Sequence, residues 1–356
     1  MKTICRYLDN GYIDEHTIYN LPYPFIFQWG GRGTGKTYGT LKEVKQQYEK
    51  TGEKFLLMRR TQTEAEMLSK ETGNPFKQLN IDNGWSIYPQ KLKNQKLVGY
   101  YNCDMDLEQE RFYPVGEPIG FVIGLSGINL FRGFDMSDVG TIIYDEFIPL
   151  AGSRRIIRNE GDMISDLYES INRNRELNGK PPVKMVFLSN ANDLANDVFI
   201  SFDLVEKAEW MLRKNRFEYY DDNRGIALLR FDDSEISEKK QETALYKMLG
   251  ANSSYSKMAI KNQFVDDGYI EIASQPLQEY KPVVIVWNLC VYQHKAETDR
   301  YYITFHKSGS PERYGTNKIE TTRFIAKYGY LWEMHMNSRI IFETLTAKRT
   351  FENIFV

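Results

Sequence analysis

Eight consecutive residues, Gly30-Gly31-Arg32-Gly33-Thr34-Gly35-Lys36-Thr37, fit the spacing G-x-x-x-x-G-K-[ST] in full. The chemistry of that pattern is phosphate capture. Glycines let successive backbone N–H groups turn inward as an anion nest. A following helix adds the positive end of its dipole. Lys36 has the length to reach β- and γ-phosphates, and the Thr37 hydroxyl is a ligand for Mg²⁺.

About 110 residues on, an apolar run, Thr141-Ile-Ile-Tyr144, ends in Asp145-Glu146. Two carboxylates at the C-terminal end of a buried strand face the crevice where α/β sheets bind ligands. In that position Asp145 holds Mg²⁺ through water and Glu146 polarises the attacking water. A glutamate directly after the aspartate suits an NTPase that supplies its own base for hydrolysis. It suits a small-molecule kinase or a switch GTPase less well. A third apolar run, Val183–Leu188, leaves into Ser189-Asn190, a polar pair able to bond the γ-phosphate or the lytic water. The same residues equally describe an Asn-rich turn. Arg173 and Arg175 follow a helical stretch, and Arg132 precedes the acidic strand. Arg154, Arg155 and Arg158 form a small basic cluster just past Glu146. Any of these can simply solvate a face. A ring-forming ATPase, however, needs a basic group to reach a neighbour's γ-phosphate, and a loop leaving the catalytic strand is well placed to touch a polymer.

These groups need a scaffold that brings distant strand ends together. Phe25–Trp29 reads as a short buried strand before the glycine loop, and Thr37–Tyr48 as the helix after it. Lys54–Arg60 reads as a strand. Thr61 and Glu64 have the spacing of a capping box that opens a helix. Residues 84–113 read as β-rich and hairpin-like. Phe121–Gly124, Val139–Tyr144 and Val183–Ser189 read as short strands, with a helix over 162–176. Short apolar strands alternating with helices predict a mostly parallel sheet covered on both faces. A charged helical stretch is expected at 235–247. Beyond about residue 277 the chain turns β-rich and aromatic, then helical near 321–328 and 335–348. The predicted organisation is a P-loop NTPase domain over 1–236, a helical linker over 237–276, and a small α+β domain over 277–356.

The chain has 356 residues, of which 42% are hydrophobic and 26% charged, with a formal net charge of −2. That is the composition of a globular protein of about two domains. No apolar run approaches the roughly 18 residues needed to cross a membrane, and the N-terminus lacks the apolar core of a secretory signal. Three scattered cysteines, Cys5, Cys103 and Cys290, fit a reducing compartment better than a disulfide scaffold. A near-neutral balance argues at first against nucleic acid. It does not exclude a polymer held loosely in a pore, because each firm phosphate contact adds salt-dependent affinity that opposes release.

With its motifs in this order the chain resembles the DNA-packaging (encapsidation) ATPases of phi29-type tailed phages. The marks are the Gly30–Thr37 loop, Phe55–Arg60 with its paired arginines, Ile143-Tyr-Asp-Glu-Phe147, Asn172-Arg-Asn-Arg-Glu176, Leu188-Ser-Asn-Ala191 and Asn262-Gln-Phe264. The resemblance implies an additional-strand, catalytic-glutamate ATPase that uses ATP and Mg²⁺. It implies a homopentameric ring docked on the portal of a procapsid, in the host cytoplasm, translocating double-stranded DNA. A packaging RNA is among the partners it allows. It also implies that Arg173 and Arg132 act on the neighbouring subunit's ATP, that the loop carrying Arg154, Arg155 and Arg158 faces DNA, and that residues 277–356 form a vestigial RNase H-like domain. The strand read as first in that domain, Val283–Leu289, carries no Asp or Glu, so no nuclease activity is expected. Three other functions share the same loop: an ATPase for virion assembly or DNA transfer on another polymer, a small-molecule kinase, and a nucleotide-gated adaptor.

Overall fold

The computed structural model describes residues 7–92, 97–106, 111–131, 134–149, 157, 159–190, 193–231, 248 and 271–355. The expected charged helix at 235–247 lies outside them, as does nearly all of the expected linker. The chain divides into two compact units, Met1–Phe264 and Val265–Val356.

The first unit is built on one nine-stranded sheet in the order β3-β4-β5-β2-β6-β7-β1-β9-β8. Its strands are β1 Phe25–Gly30, β2 Lys54–Arg59, β3 Ile87–Lys91, β4 Val98–Asp106, β5 Arg111–Gly124, β6 Val139–Asp145, β7 Lys184–Leu188, β8 Glu218–Asp221 and β9 Ile226–Phe231. The run from β5 to β9 is parallel throughout. The edge strands β3, β4 and β8 are antiparallel. Every residue of β6 is buried, as expected for a parallel strand covered on both faces. Phe121–Gly124, read from sequence as a separate short strand, is instead the end of β5. That strand is long enough to belong to the antiparallel edge and the parallel core at once, turning at Gly116, where φ is +72°.

The helices of this unit are α1 Glu15–Tyr19, α2 Lys36–Thr51, α3 Gln62–Leu68, α4 Lys77–Asn83, α5 Glu160–Asn172, α6 Asp197–Ser201 and α7 Val205–Arg213. The capping box at α3 forms in both directions: Thr61 Oγ1 accepts from the Glu64 amide and Glu64 returns a carboxylate to the Thr61 amide. The helix expected over 162–176 ends four residues sooner. Arg173 takes φ +40°, which a right-handed helix does not allow, and the chain breaks there. Phe55, Leu57, Leu41, Val44, Ile143 and Val186 pack α2 against the sheet.

The second unit has a five-stranded sheet in the order β13-β10-β11-β12-β14, with β10 Tyr280–Val286, β11 Leu289–His294, β12 Tyr301–Thr304, β13 Glu312–Tyr314 and β14 Ile340–Phe342. β10, β11 and β12 form an antiparallel meander, and β13 and β14 join its two edges in parallel. Helices α8 Lys318–Tyr328, α9 Tyr330–Met336 and α10 Leu345–Phe355 complete it. The segment read as the first strand, Val283–Leu289, is the end of one strand, a turn at Trp287-Asn288 and the start of the next. Trp287 sits at φ +54°, and its indole donates to Thr321 Oγ1 at 3.1 Å. The helix expected over 335–348 is two helices with β14 between them. Ser338 at φ +55° ends the first, and Ile340–Phe342 pairs with β12.

Candidate nucleotide site

β1 ends at Gly30, and the loop that follows turns through left-handed backbone at Gly30, Gly31, Gly33 and Gly35. Gly35, at φ +92°, caps α2 directly before Lys36. A side chain there would be strained by that φ and would press on Tyr12. The result is a helix start whose free amides face the loop. The Lys36 ammonium folds back onto this loop. It donates to the carbonyls of Gly30 and of Gly31, the latter at 2.8 Å, and lies 3.4 Å from Thr34 Oγ1.

Sheet order decides what faces the loop. β7 lies between β1 and β6, so the Ser189-Asn190 end of β7 stands between the glycine loop and the Asp145-Glu146 end of β6. Thr37 Oγ1 donates to Asp145 Oδ1 at 3.1 Å across a sequence gap of 108 residues. Asn190 Nδ2 donates to Glu146 Oε1 at 2.7 Å. Glu146 itself has φ +58°, rare for a residue with a side chain. The following amide, Phe147 N–H, bonds Leu188 O at 3.2 Å, which pins the turn against β7. Strained backbone of this kind persists only where surrounding structure holds it, and it concentrates at working sites.

The paired arginines at the end of β2 divide between the two sheet faces. In the parallel register Met58 lies opposite Tyr144, so the next position sets Arg59 beside Asp145. Side chains alternate along a strand. Arg59 Nη2 therefore meets Asp145 Oδ2 at 3.1 Å on one face. On the other, Arg60 grips Glu160 with Nε at 3.3 Å and Nη2 at 3.0 Å, and the Tyr144 hydroxyl donates to the same carboxylate. Burial raises the Asp145 carboxyl above the usual range, and attraction to Arg59 is the largest opposing effect. The Arg60 guanidinium, although buried, is pushed further up by Glu160.

Behind the loop sits a carboxyl that the motifs did not announce. Glu15 is 4% exposed. Its Oε1 accepts from Thr40 Oγ1 at 2.5 Å and Gln28 Nε2 at 2.6 Å. Gly39 makes room for it, since a Cβ there would lie 2.5 Å from Glu15 Cβ. Burial raises its pKa from 4.5 to about 7, against the pull of its hydrogen bonds and of Lys36.

The structure thus brings Gly30–Thr37, Asp145, Glu146, Ser189 and Asn190 to one edge of the sheet. Arg173 is exposed at the far end of α5, where its Nε donates to Ser170 O at 2.9 Å. Arg175, two residues on, is buried and ion-paired to Glu53, with further bonds to the carbonyls of Pro181 and Val139. Arg132, Arg154, Arg155 and Arg158 lie outside the described residues. Sequence reasoning assigned no role to Glu15, Arg59, Arg60 or Glu160. Only the adjacent arginines at a strand end offered a signal.

Comparison with known proteins agrees with this fold. The sequence model of the podovirus DNA encapsidation protein (Gp16) matches residues 14–293. The DNA packaging proteins of Bacillus phages PZA and phi29 are each 28% identical over 283 residues, covering 78% of this chain and 74% of theirs. The bacteriophage phi-29 viral genome packaging motor assembly shares the fold with a TM-score of 0.66, at 20% identity, over 97% of this chain and 98% of that one. The phi-28 gp11 DNA packaging motor aligns with a TM-score of 0.61 at 17% identity, over 90% of this chain and 91% of that one.

Proposed function

The chain belongs to the podovirus DNA encapsidation protein family, and on that premise we propose that it is the ATP-hydrolysing motor that drives double-stranded phage DNA into a preformed procapsid. One observation carries the reading. The Thr37–Asp145 hydrogen bond closes the phosphate loop onto the acidic strand end, with Glu146 turned beside it and held by Asn190.

The amides of Gly30–Gly35 and the α2 N-terminus bind the phosphates, and Lys36 exchanges its loop carbonyls for phosphate oxygens. The Thr37 hydroxyl and the Asp145 carboxylate are hard oxygen donors, the set that suits Mg²⁺, which would neutralise charge between the terminal phosphates. Glu146 accepts a proton from the attacking water, and the Asn190 amide fixes the direction in which its carboxylate points. Ser189 and Asn190, leaving the strand between loop and base, relay the state of the nucleotide to the sheet.

The motor works as a homopentameric ring on the procapsid portal, in the host cytoplasm, with a packaging RNA as a further partner. Arg173, exposed just past α5, acts on a neighbour's nucleotide, and Arg132 is the second such group. Arg154, Arg155 and Arg158 touch DNA within the ring. The C-terminal unit docks the motor and contacts nucleic acid without cutting it.

The test is the steady-state ATPase rate alone, with double-stranded DNA, and with DNA plus procapsid. The expected result is stimulation by both. Hydrolysis indifferent to DNA and procapsid, or phosphoryl transfer to a small acceptor, would overturn the reading.

A further inference from the structure

We infer that Arg59 is a terminal-phosphate sensor acting within its own subunit: it neutralises Asp145 when no divalent cation is bound and passes to the γ-phosphate oxygens when Mg·ATP fills the site. The inference rests on the reading of Gly30–Thr37 and Asp145 as a nucleotide site.

Three observations carry it. First, the two oxygens of Asp145 are divided: Oδ1 takes the Thr37 hydroxyl and Oδ2 takes Arg59. The guanidinium therefore stands one carboxylate's width from the hydroxyl in the first turn of α2. Second, a divalent cation served by Asp145 and Arg59 draw on the same carboxylate charge. Two cations at one buried carboxylate repel each other, so arrival of the metal loosens the arginine. Third, Arg59 Nε is buried and has no hydrogen-bond partner among the described residues. A guanidinium carries five N–H donors in a fixed fork. Phosphate oxygens match that fork two at a time, which a lone carboxylate oxygen does not. Arg60 cannot serve, because the strand alternation turns it to the other face, where Glu160 and Tyr144 hold it.

ADP lacks the γ-phosphate, so the exchange distinguishes ATP from ADP. The experiment measures binding of Mg·ATP and Mg·ADP to the full chain by displacement of a fluorescent nucleotide. A Glu146→Gln background suppresses turnover. Arg59→Ala is expected to weaken ATP by about tenfold or more, the scale of a charged hydrogen bond, while ADP stays within about threefold of the background protein. Arg59→Lys is expected to fall between, because an ammonium keeps the charge but not the fork. If Arg59→Ala weakens ATP and ADP alike, or neither, Arg59 only steadies Asp145 and the inference is wrong. Should the alanine variant fail to fold, Arg59→Lys separates the same two outcomes by whether ATP alone is weakened. If the background protein binds neither nucleotide, the nucleotide-site reading itself falls, and this inference falls with it.

Discussion

Glu15→Gln should make the protein more stable above pH 7 and leave it about as stable near pH 5. Burial raises the Glu15 pKa from 4.5 to about 7. Its folded value therefore lies above its unfolded value. Between those two pH values the folded chain keeps a proton that the unfolded chain has lost, so stability falls as pH rises through the window and stays low above it. At about 1.4 kcal/mol per pKa unit, the loss is about 3 kcal/mol. Glutamine has the same shape and no charge to desolvate. Its carbonyl can keep the bonds from Thr40 and Gln28 that meet at Oε1. Its NH₂ takes the place of Oε2, which has no partner among the described residues, and that unmet donor costs about 1 kcal/mol. The net expectation is a gain of about 2 kcal/mol at pH 8 and a slight loss at pH 5. In a unit of this size each kcal/mol moves Tm by roughly 2–4 °C. Thermal unfolding of both proteins across pH 4.5–8 measures the difference, so other titrating groups cancel. Parallel Tm–pH curves would show that Glu15 does not hold its proton in the native state, and the account of its burial would be wrong.

Glu146→Gln should keep nucleotide binding and cut phosphate release by about 10²- to 10⁴-fold, the range of a lost general base; normal turnover would remove Glu146 from the mechanism. Arg173→Ala subunits mixed with Glu146→Gln subunits should regain hydrolysis, because a Glu146→Gln neighbour supplies Arg173 to a site whose own Glu146 is intact. No recovery at any mixing ratio would mean action in cis. Arg60→Ala should cost about 3–5 kcal/mol, because it strands Glu160, 1% exposed, without its cation. Arg175→Ala should cost less, about 2 kcal/mol, because its partner Glu53 is 32% exposed and can take up water; equal Tm losses in these two variants would contradict that ranking.

The parts of the site legible in the sequence are those fixed by local spacing. The Gly30–Thr37 loop needs only a strand before it and a helix after it, and β1 and α2 supply both. The Thr61 capping box is likewise complete within four residues. What the sequence leaves open depends on partners far along the chain. Nothing local says that β7 lies between β1 and β6, yet that order is what sets Asn190 against Glu146. Arg59 and Arg60 look equivalent until the β2–β6 register separates them. Arg173 and Arg175 also look alike, and only folding buries one and leaves the other at the surface. β14 is too short for a period-two pattern, so its residues merge with the helices around it. Trp287 hides a hairpin turn because bulky residues seldom accept a left-handed backbone.

The knot of Arg60, Tyr144 and Glu160 has a mechanical consequence. Glu160 is the first residue of α5, and Arg173 follows its last. At 1.5 Å of rise per residue the two are separated by about 20 Å of continuous helix. A hydrogen-bonded helix hardly compresses, so it could serve as a pushrod. Its near end is clamped to Tyr144, the residue before Asp145, and its far end carries an arginine at the surface. A shift of the strand end at Tyr144 would therefore be carried along α5 to the exposed Arg173.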